Sequence, residues 1–236
     1  MPSHNACIKD CRESSLHHTL KILYSGEGGR IEVPIDTYMC DGVTASGEII
    51  EVQIGSFSPL VDKVQALTQC NRVKIVHPII VQKQLELYDT AGTLVSSRKS
   101  PCKGTVWDLF NALVHAPRLP LLPQVSVELA LVDITEMRIQ DGLGSWRRKG
   151  VSILNKSLVA YHGSFILAGV DDYRRLIPFG EGEAFTTQDM GERVGIKAAL
   201  ARKALYVLHK LGVVQRSGKR GKAWVYRTLY TMRPLG

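Results

Sequence analysis

Three polar side chains interrupt apolar runs that otherwise look like strands. In GEIIEVQIGSF, Gly47–Phe57, Glu51 and Gln53 stand two residues apart, and Asp41 precedes them in YMCDGV. Residues two apart on a strand point to the same face, so we expect Glu51 and Gln53 to project together. Asp41, on an adjoining strand, could stand beside them. Two carboxylates at close range repel each other, and a divalent cation relieves that repulsion.

Hard oxygen ligands suit Mg²⁺ or Mn²⁺, so we predict that Asp41 and Glu51 hold such an ion. The ion would polarise a phosphodiester and generate hydroxide near neutral pH. Glu13 lies on a helical segment upstream, close to the apolar stripe of that helix. Simpler interpretations remain open: Asp41 in an Asp-Gly turn, Glu51 in a surface ion pair, and Glu13 in a capping box with Asp10.

The elements that would position these residues run in the order helix, strand, strand, strand, helix, strand. Apolar spacing predicts a first helix over 10–24 and a second that begins at Ser58-Pro59. A hairpin, a short helix and a half-buried strand follow. We place a domain boundary in the loop QDGLGSWRRKG, so that residues 1–144 form the first domain and residues 145–236 the second.

The second domain has a different pattern. Residues 156–178 are predicted to be mainly helical. After them Thr186 or Thr187 caps a short helix, Gly195 ends it, and a longer helix starts near Lys197. The segment VVQRSGKRGKAWVYR is a hairpin with a basic, glycine-rich tip. This is the pattern of a winged helix-turn-helix, whose second helix enters the major groove of DNA.

The cations that we predict to contact DNA lie in the inter-domain loop, in the second helix and in the hairpin. They are Arg147, Arg148, Lys149, Lys197, Arg202, Lys203, Arg216, Lys219, Arg220 and Lys222. The charge distribution supports this prediction. Residues 1–144 hold 13 Lys/Arg against 16 Asp/Glu, whereas residues 145–236 hold 17 against 6. Such asymmetry favours a polyanionic partner, although a solvated basic surface is the alternative.

Composition narrows the class of protein. The five cysteines are irregularly spaced and form no CxxC pair, so neither a zinc site nor a disulfide framework is indicated. No apolar run approaches the roughly 20 residues of a membrane helix, and the polar N-terminus lacks a signal-peptide pattern. We therefore expect a cytoplasmic protein without a membrane partner, and a homodimer is compatible with the sequence.

The motif around Asp41 and Glu51 resembles that of the PD-(D/E)xK nuclease superfamily, which carries an Asp, a gap, then (D/E)-x-K on a strand. The stretches IEVPIDTYMCDGV, IIEVQIGSFSPLVDKV, SRKSPCKG, GSWRRKG and FTTQDMGERVG also resemble bacterial proteins that join a nuclease-type domain to a C-terminal winged helix. The resemblance implies an α/β fold: a restriction-endonuclease-like core (α-β-β-β-α-β, mixed sheet) followed by an α+β winged helix domain.

The resemblance also implies a Mg²⁺-dependent endonuclease acting on double-stranded or branched DNA, with Glu13, Asp41, Glu51, Gln53 and Lys63 as site residues. Gln53 stands where the superfamily has a lysine, and an amide carries no charge. Lys63, on the following helix, is the candidate substitute and Lys21 is the second choice.

A non-catalytic DNA-binding protein that keeps the nuclease-like fold is the alternative function. RNA ranks last as a ligand because the sequence offers no aromatic stacking platform.

Overall fold

The structure, a computed structural model, describes residues 14–229. Its helices are α1 (Ser15–Ser25), α2 (Val61–Leu67), α3 (Leu109–Leu113), α4 (Val170–Arg175), α5 (Thr187–Val194) and α6 (Ala198–Lys210). Its strands are β1 (Arg30–Ile35), β2 (Tyr38–Val43), β3 (Ile49–Val52), β4 (Val73–Tyr88), β5 (Leu94–Lys99), β6 (Val125–Gln140), β7 (Val151–Leu167), β8 (Ala184–Thr186), β9 (Val214–Arg220) and β10 (Ala223–Thr228). None of these helices is long and apolar enough to cross a membrane.

Seven strands form one mixed sheet in the order β1-β2-β3-β4-β6-β7, with β5 paired to the second half of β4. Strands β3, β4 and β6 run parallel, and the other pairs are antiparallel. The mixed sheet with flanking helices confirms the predicted α/β class. The order α1, β1, β2, β3, α2, β4 confirms the predicted order of the first six elements.

Each face of the sheet carries its own apolar core. On one face α1 buries Leu16 and Leu20 against Ile50 and Val52 of β3 and against β6. On the other face α2, α3 and α6 pack over the remaining strand residues. Burying apolar side chains on both faces explains why β3 is buried along its whole length.

The prediction that residues 156–178 are mainly helical is wrong. Strand β7 occupies Val151–Leu167, and only the short helix α4 lies further on. Strand β7 pairs with β6 along its length and forms an edge of the sheet. The first sheet therefore continues to Leu167, past the boundary predicted after residue 144.

The far halves of β4 and β6, together with β5 and the first half of β7, extend the sheet as a four-stranded arm. The arm ends in the turn after Tyr88 and in residues 141–150, the loop between β6 and β7 that we call the tip loop.

Residues 170–229 form a C-terminal unit that carries a second, three-stranded sheet in the order β8-β10-β9. Thr186 caps α5 and accepts from the Asp189 N–H, which satisfies a free donor of the first turn. Gly195 ends α5 in the left-handed region, at φ 69°, as predicted for this turn. Helix α6 packs against α3, and Lys203 Nζ donates to Asn111 Oδ1 at 2.7 Å.

Candidate functional site

Asp41 lies within strand β2, so its interpretation as a turn residue is wrong. Its Oδ2 accepts the Val52 N–H at 2.8 Å, which ties the end of β3 to β2. Two side chains of helix α1 approach this carboxylate: His17 Nε2 is 3.4 Å from Oδ2, and Lys21 Nζ is 3.8 Å from Oδ1. Burial alone would raise the pKa of Asp41, but His17, the Val52 N–H and Lys21 outweigh it, so the pKa lies below its usual value.

Glu51 is buried, with a side chain that is 2% exposed, so its interpretation as part of a surface ion pair is wrong. Its Oε1 lies 2.5 Å from Lys63 Nζ of α2, and Lys63 also donates to the Met39 carbonyl at 2.6 Å. Burial raises the pKa of Glu51, and the Lys63 ammonium offsets only part of that rise. The Cys40 thiol is close enough that burial and the Glu51 charge raise its pKa to about 11.

The carboxylates of Asp41 and Glu51 point to opposite faces of the sheet. Ile50 and Val52 pack toward α1, and Glu51, between them, points toward α2. Asp41 contacts α1 through His17 and Lys21. The structure thus places Asp41 beside α1 and Glu51 with Lys63 beside α2, on the neighbouring strands β2 and β3, and each acid already faces a cation.

Gln53 lies just beyond β3, which ends at Val52. Its side-chain amide donates to the Ser56 carbonyl at 2.6 Å, and its own carbonyl accepts from His77 Nδ1 at 2.6 Å. The amide therefore stabilises the turn after the strand. The expectation that Glu51 and Gln53 project together assumed a strand that continues through Gln53, and this strand is shorter.

A metal ion fits the described residues only in part. Asp41 and Glu51 offer hard oxygen donors, but the Lys21 and Lys63 ammonium groups already compensate their charge. Among residues 14–229, no group of three or more His, Cys, Asp or Glu side chains is arranged to hold a metal ion. Glu13, the proposed third acid, lies outside the described residues. We therefore derive no step through Mg²⁺.

A cleft of about 510 Å³ opens beyond the carboxyl ends of β3 and the first half of β4. Its lining includes Ser56, His77, Lys83, Lys103 and Asn111, and neither Asp41 nor Glu51 belongs to it. Burial lowers the pKa of His77, so its imidazole is neutral near pH 7. Sequence patterns gave no sign of this cleft, because its walls come from segments far apart in the chain.

The cations predicted to contact DNA are mostly on the surface. All except Lys203, which is half-buried, are exposed: Arg147, Arg148, Lys149, Lys197, Arg202, Arg216, Lys219, Arg220 and Lys222. In the hairpin of β9 and β10, the Arg216 guanidinium and the Lys219 ammonium lie 4.6 and 4.7 Å from the centre of the Trp224 ring. Arg220 lies 3.5 Å from Asp189, the one ion pair of this hairpin within the described chain.

Two further residues belong to the site: Lys21, predicted as the second choice to replace the missing motif lysine, and Glu32, which the sequence did not indicate. Lys21, 4% exposed, donates to Glu32 Oε1 at 3.2 Å while it faces Asp41. Glu32 has φ 52°, which indicates an irregularity in β1 opposite Asp41. A single residue with positive φ leaves no periodic signal in the sequence, so Glu32 could not have been found by pattern.

Comparison with known proteins defines the family of this mixed-sheet α/β protein. Residues 14–168 match the domain of unknown function DUF8091, and the match ends one residue after β7. The chain belongs to that family. It is also similar to an uncharacterized protein of Treponema pallidum (strain Nichols), with 25% identity over 221 residues, which is 93% of this chain and 87% of the relative. No solved structure matches the chain.

Proposed function

We propose that this protein binds DNA through its C-terminal unit, which we interpret as a winged helix-turn-helix, and that its large sheet is a restriction-endonuclease-like core. The observation that carries the proposal is the hairpin of β9 and β10. Every residue from Gln215 to Trp224 is exposed, and four of them are cationic: Arg216, Lys219, Arg220 and Lys222.

The neighbouring helices support the same function. Helix α5, the turn at Gly195 and helix α6 follow one another as in a helix-turn-helix, and Lys197 and Arg202 are exposed in the first half of α6. In such motifs the first turns of the second helix approach base edges while neighbouring cations contact phosphates. We interpret α6 as the recognition helix and the hairpin as the wing.

Binding of a labelled 30-base-pair duplex, measured at several salt concentrations, tests the proposal. The triple variant Arg216→Ala/Lys219→Ala/Lys222→Ala should bind far more weakly, and its slope of log affinity against log salt should be smaller by roughly 3. Lys210→Ala, at the opposite end of α6, is the matched control. Unchanged affinity and slope in the triple variant would refute this function for the hairpin.

Metal-dependent cleavage of phosphodiester bonds is the second candidate function. The observation that favours it is Lys63, whose ammonium lies beside Glu51 although the motif position, Gln53, has no charge. In this candidate function Asp41 and Glu51 would bind Mg²⁺ or Mn²⁺, which requires that Lys63 leave Glu51 and that the two carboxylates, now on opposite faces of the sheet, turn toward one ion.

Single-stranded, duplex and branched DNA, incubated with Mg²⁺, Mn²⁺ or EDTA, distinguish the two functions. A nuclease cuts at least one of them with metal, and Asp41→Asn and Glu51→Gln abolish cutting but keep DNA binding. A DNA-binding protein without catalysis leaves every substrate intact under all three conditions while it retains salt-sensitive binding.

A further inference from the structure

The tip loop presents two large apolar side chains to solvent. Leu143 is 86% exposed and Trp146 is 83% exposed, more than any other large apolar residue of the described chain. Both lie within four positions of each other at the end of the arm. Large exposed apolar side chains that cluster on one surface usually mark a contact with a partner.

Hydrogen bonds fix the conformation of this loop. Asp141 Oδ1 accepts from the Leu143 N–H and from the Ser152 hydroxyl, both at 2.9 Å. The Gly144 N–H donates to the Gly150 carbonyl at 3.0 Å and closes the loop. Arg148 Nε donates to the Val151 carbonyl at 3.1 Å. Leu143 and Trp146 are therefore held outward by an ordered loop.

Charge indicates the chemistry of the partner. Arg147, Arg148 and Lys149 surround Trp146 in the sequence and are all exposed, and the Arg147 guanidinium lies 5.5 Å from the Trp146 ring centre. Asp141, the single acid of the loop, is occupied by the internal hydrogen bonds. An aromatic ring among three cations suits a polyanion that also offers flat apolar surfaces, which is the description of a nucleic acid with accessible bases.

We infer that the tip loop is a second DNA contact, in which Trp146 and Leu143 insert where base stacking is interrupted and the three cations hold the adjacent phosphates. DNA-binding proteins use apolar side chains in this way at steps that unstack easily. The ligand class is thus a duplex that contains a bulge, mismatch or branch. This inference rests on the proposed DNA-binding function.

Strand β7 separates the tip loop from the C-terminal unit along the chain. The tip loop precedes β7, and the C-terminal unit follows it. Seventeen residues of strand span at most roughly 55 Å. At about 3.4 Å per base pair, that distance corresponds to roughly 16 base pairs. The 30-base-pair duplexes used below are longer than this upper bound.

The experiment compares full-length wild type with Trp146→Ala on two 30-base-pair duplexes, one intact and one with a two-nucleotide bulge. Wild type should prefer the bulged duplex, and Trp146→Ala should lose on the order of tenfold in affinity for it. A 2-aminopurine beside the bulge should change its fluorescence with wild type and not with the variant. Val159→Ala, an exposed apolar residue on β7, is the matched control.

The other outcomes separate this inference from the proposed function. Equal binding by Trp146→Ala and wild type, with loss in the Arg216/Lys219/Lys222 variant, overturns the tip contact and leaves DNA binding in place. No binding of either duplex by wild type overturns both the inference and the proposed function.

Vesicles that contain phosphatidylserine are the third ligand. Binding that requires Trp146 on vesicles but not on DNA would make the tip loop a membrane contact and overturn the inference.

Discussion

Lys63 Nζ lies 2.5 Å from Glu51 Oε1, and this ion pair joins helix α2 to strand β3 below the protein surface. Only 16% of the Lys63 side chain and 2% of the Glu51 side chain are exposed. Removal of one partner from such a pair leaves a buried charge without compensation, which costs more than the pair itself contributes.

We therefore expect Lys63→Met to lower the free energy of unfolding by about 3 kcal/mol at pH 7, measured by urea denaturation. The loss should shrink at lower pH, because burial already raises the pKa of Glu51 and protonation removes the unpaired charge. The double variant Glu51→Gln/Lys63→Met should recover much of the stability. A Lys63→Met protein as stable as wild type would show that the pair is not formed in solution.

Asp41 should also make stability depend on pH, although its pKa is shifted in the opposite direction to that of Glu51. Its pKa in the folded protein lies below the usual value of 3.8, so its contribution is complete above that value and disappears as the pH falls through the folded pKa. Asp41→Asn should be less stable than wild type by about 1–2 kcal/mol at pH 7, and this difference should shrink below about pH 4. Denaturation curves at several pH values measure it. A constant difference across that range would contradict the assignment.

Replacement of Lys219 tests how much a single positive charge of the hairpin contributes to DNA binding. Lys219→Ala should reduce the slope of log affinity for DNA against log salt by about 1 and weaken binding to all duplex sequences alike. Fluorescence anisotropy at four salt concentrations measures both effects. Sequence-dependent loss would instead indicate that Lys219 contacts base edges.

Gly144 controls the shape of the tip loop without contributing charge. A Cβ at Gly144 would lie 1.9 Å from the Val151 carbonyl oxygen, so the backbone of the loop must move. Gly144→Ala should weaken binding to the bulged duplex several-fold, as we also expect for Trp146→Ala. The free energy of global unfolding should change by less than about 1 kcal/mol, because the loop belongs to neither core. Gly55→Ala, whose Cβ would meet nothing within 4 Å, is the control. An unaffected Gly144→Ala protein would show that the loop conformation does not matter for binding.

The partners Glu51 and Lys63 could be predicted from the sequence because local rules suffice for them. A strand, a Ser-Pro helix start and one turn of helix separate the two residues, and this short crossover brings α2 back over β3. The caps at Thr186 and Gly195 were predictable for the same reason, since each depends on a few adjacent residues.

The sequence did not predict strand β7 because apolar and polar residues do not alternate regularly along it. Its pairing with β6 shifts register at three places, which breaks the alternation of a regular strand. Three of its apolar residues, Leu158, Tyr161 and Phe165, also fall at helical spacing. The contact between α1 and β7 could not be predicted either, because no local sequence signal links two segments so far apart in the chain.

The docking of α1 on β7 has a consequence for synthesis of the chain. Ser15 and Asn155 exchange hydrogen bonds across 140 positions, and the Tyr24 ring meets Tyr161 edge to face. During translation at about 5–20 residues per second, α1 leaves the ribosome on the order of ten seconds before its partner strand exists. The Ser15–Asn155 and Tyr24–Tyr161 contacts cannot form during that interval, so α1 completes its packing only after most of the sheet has been made.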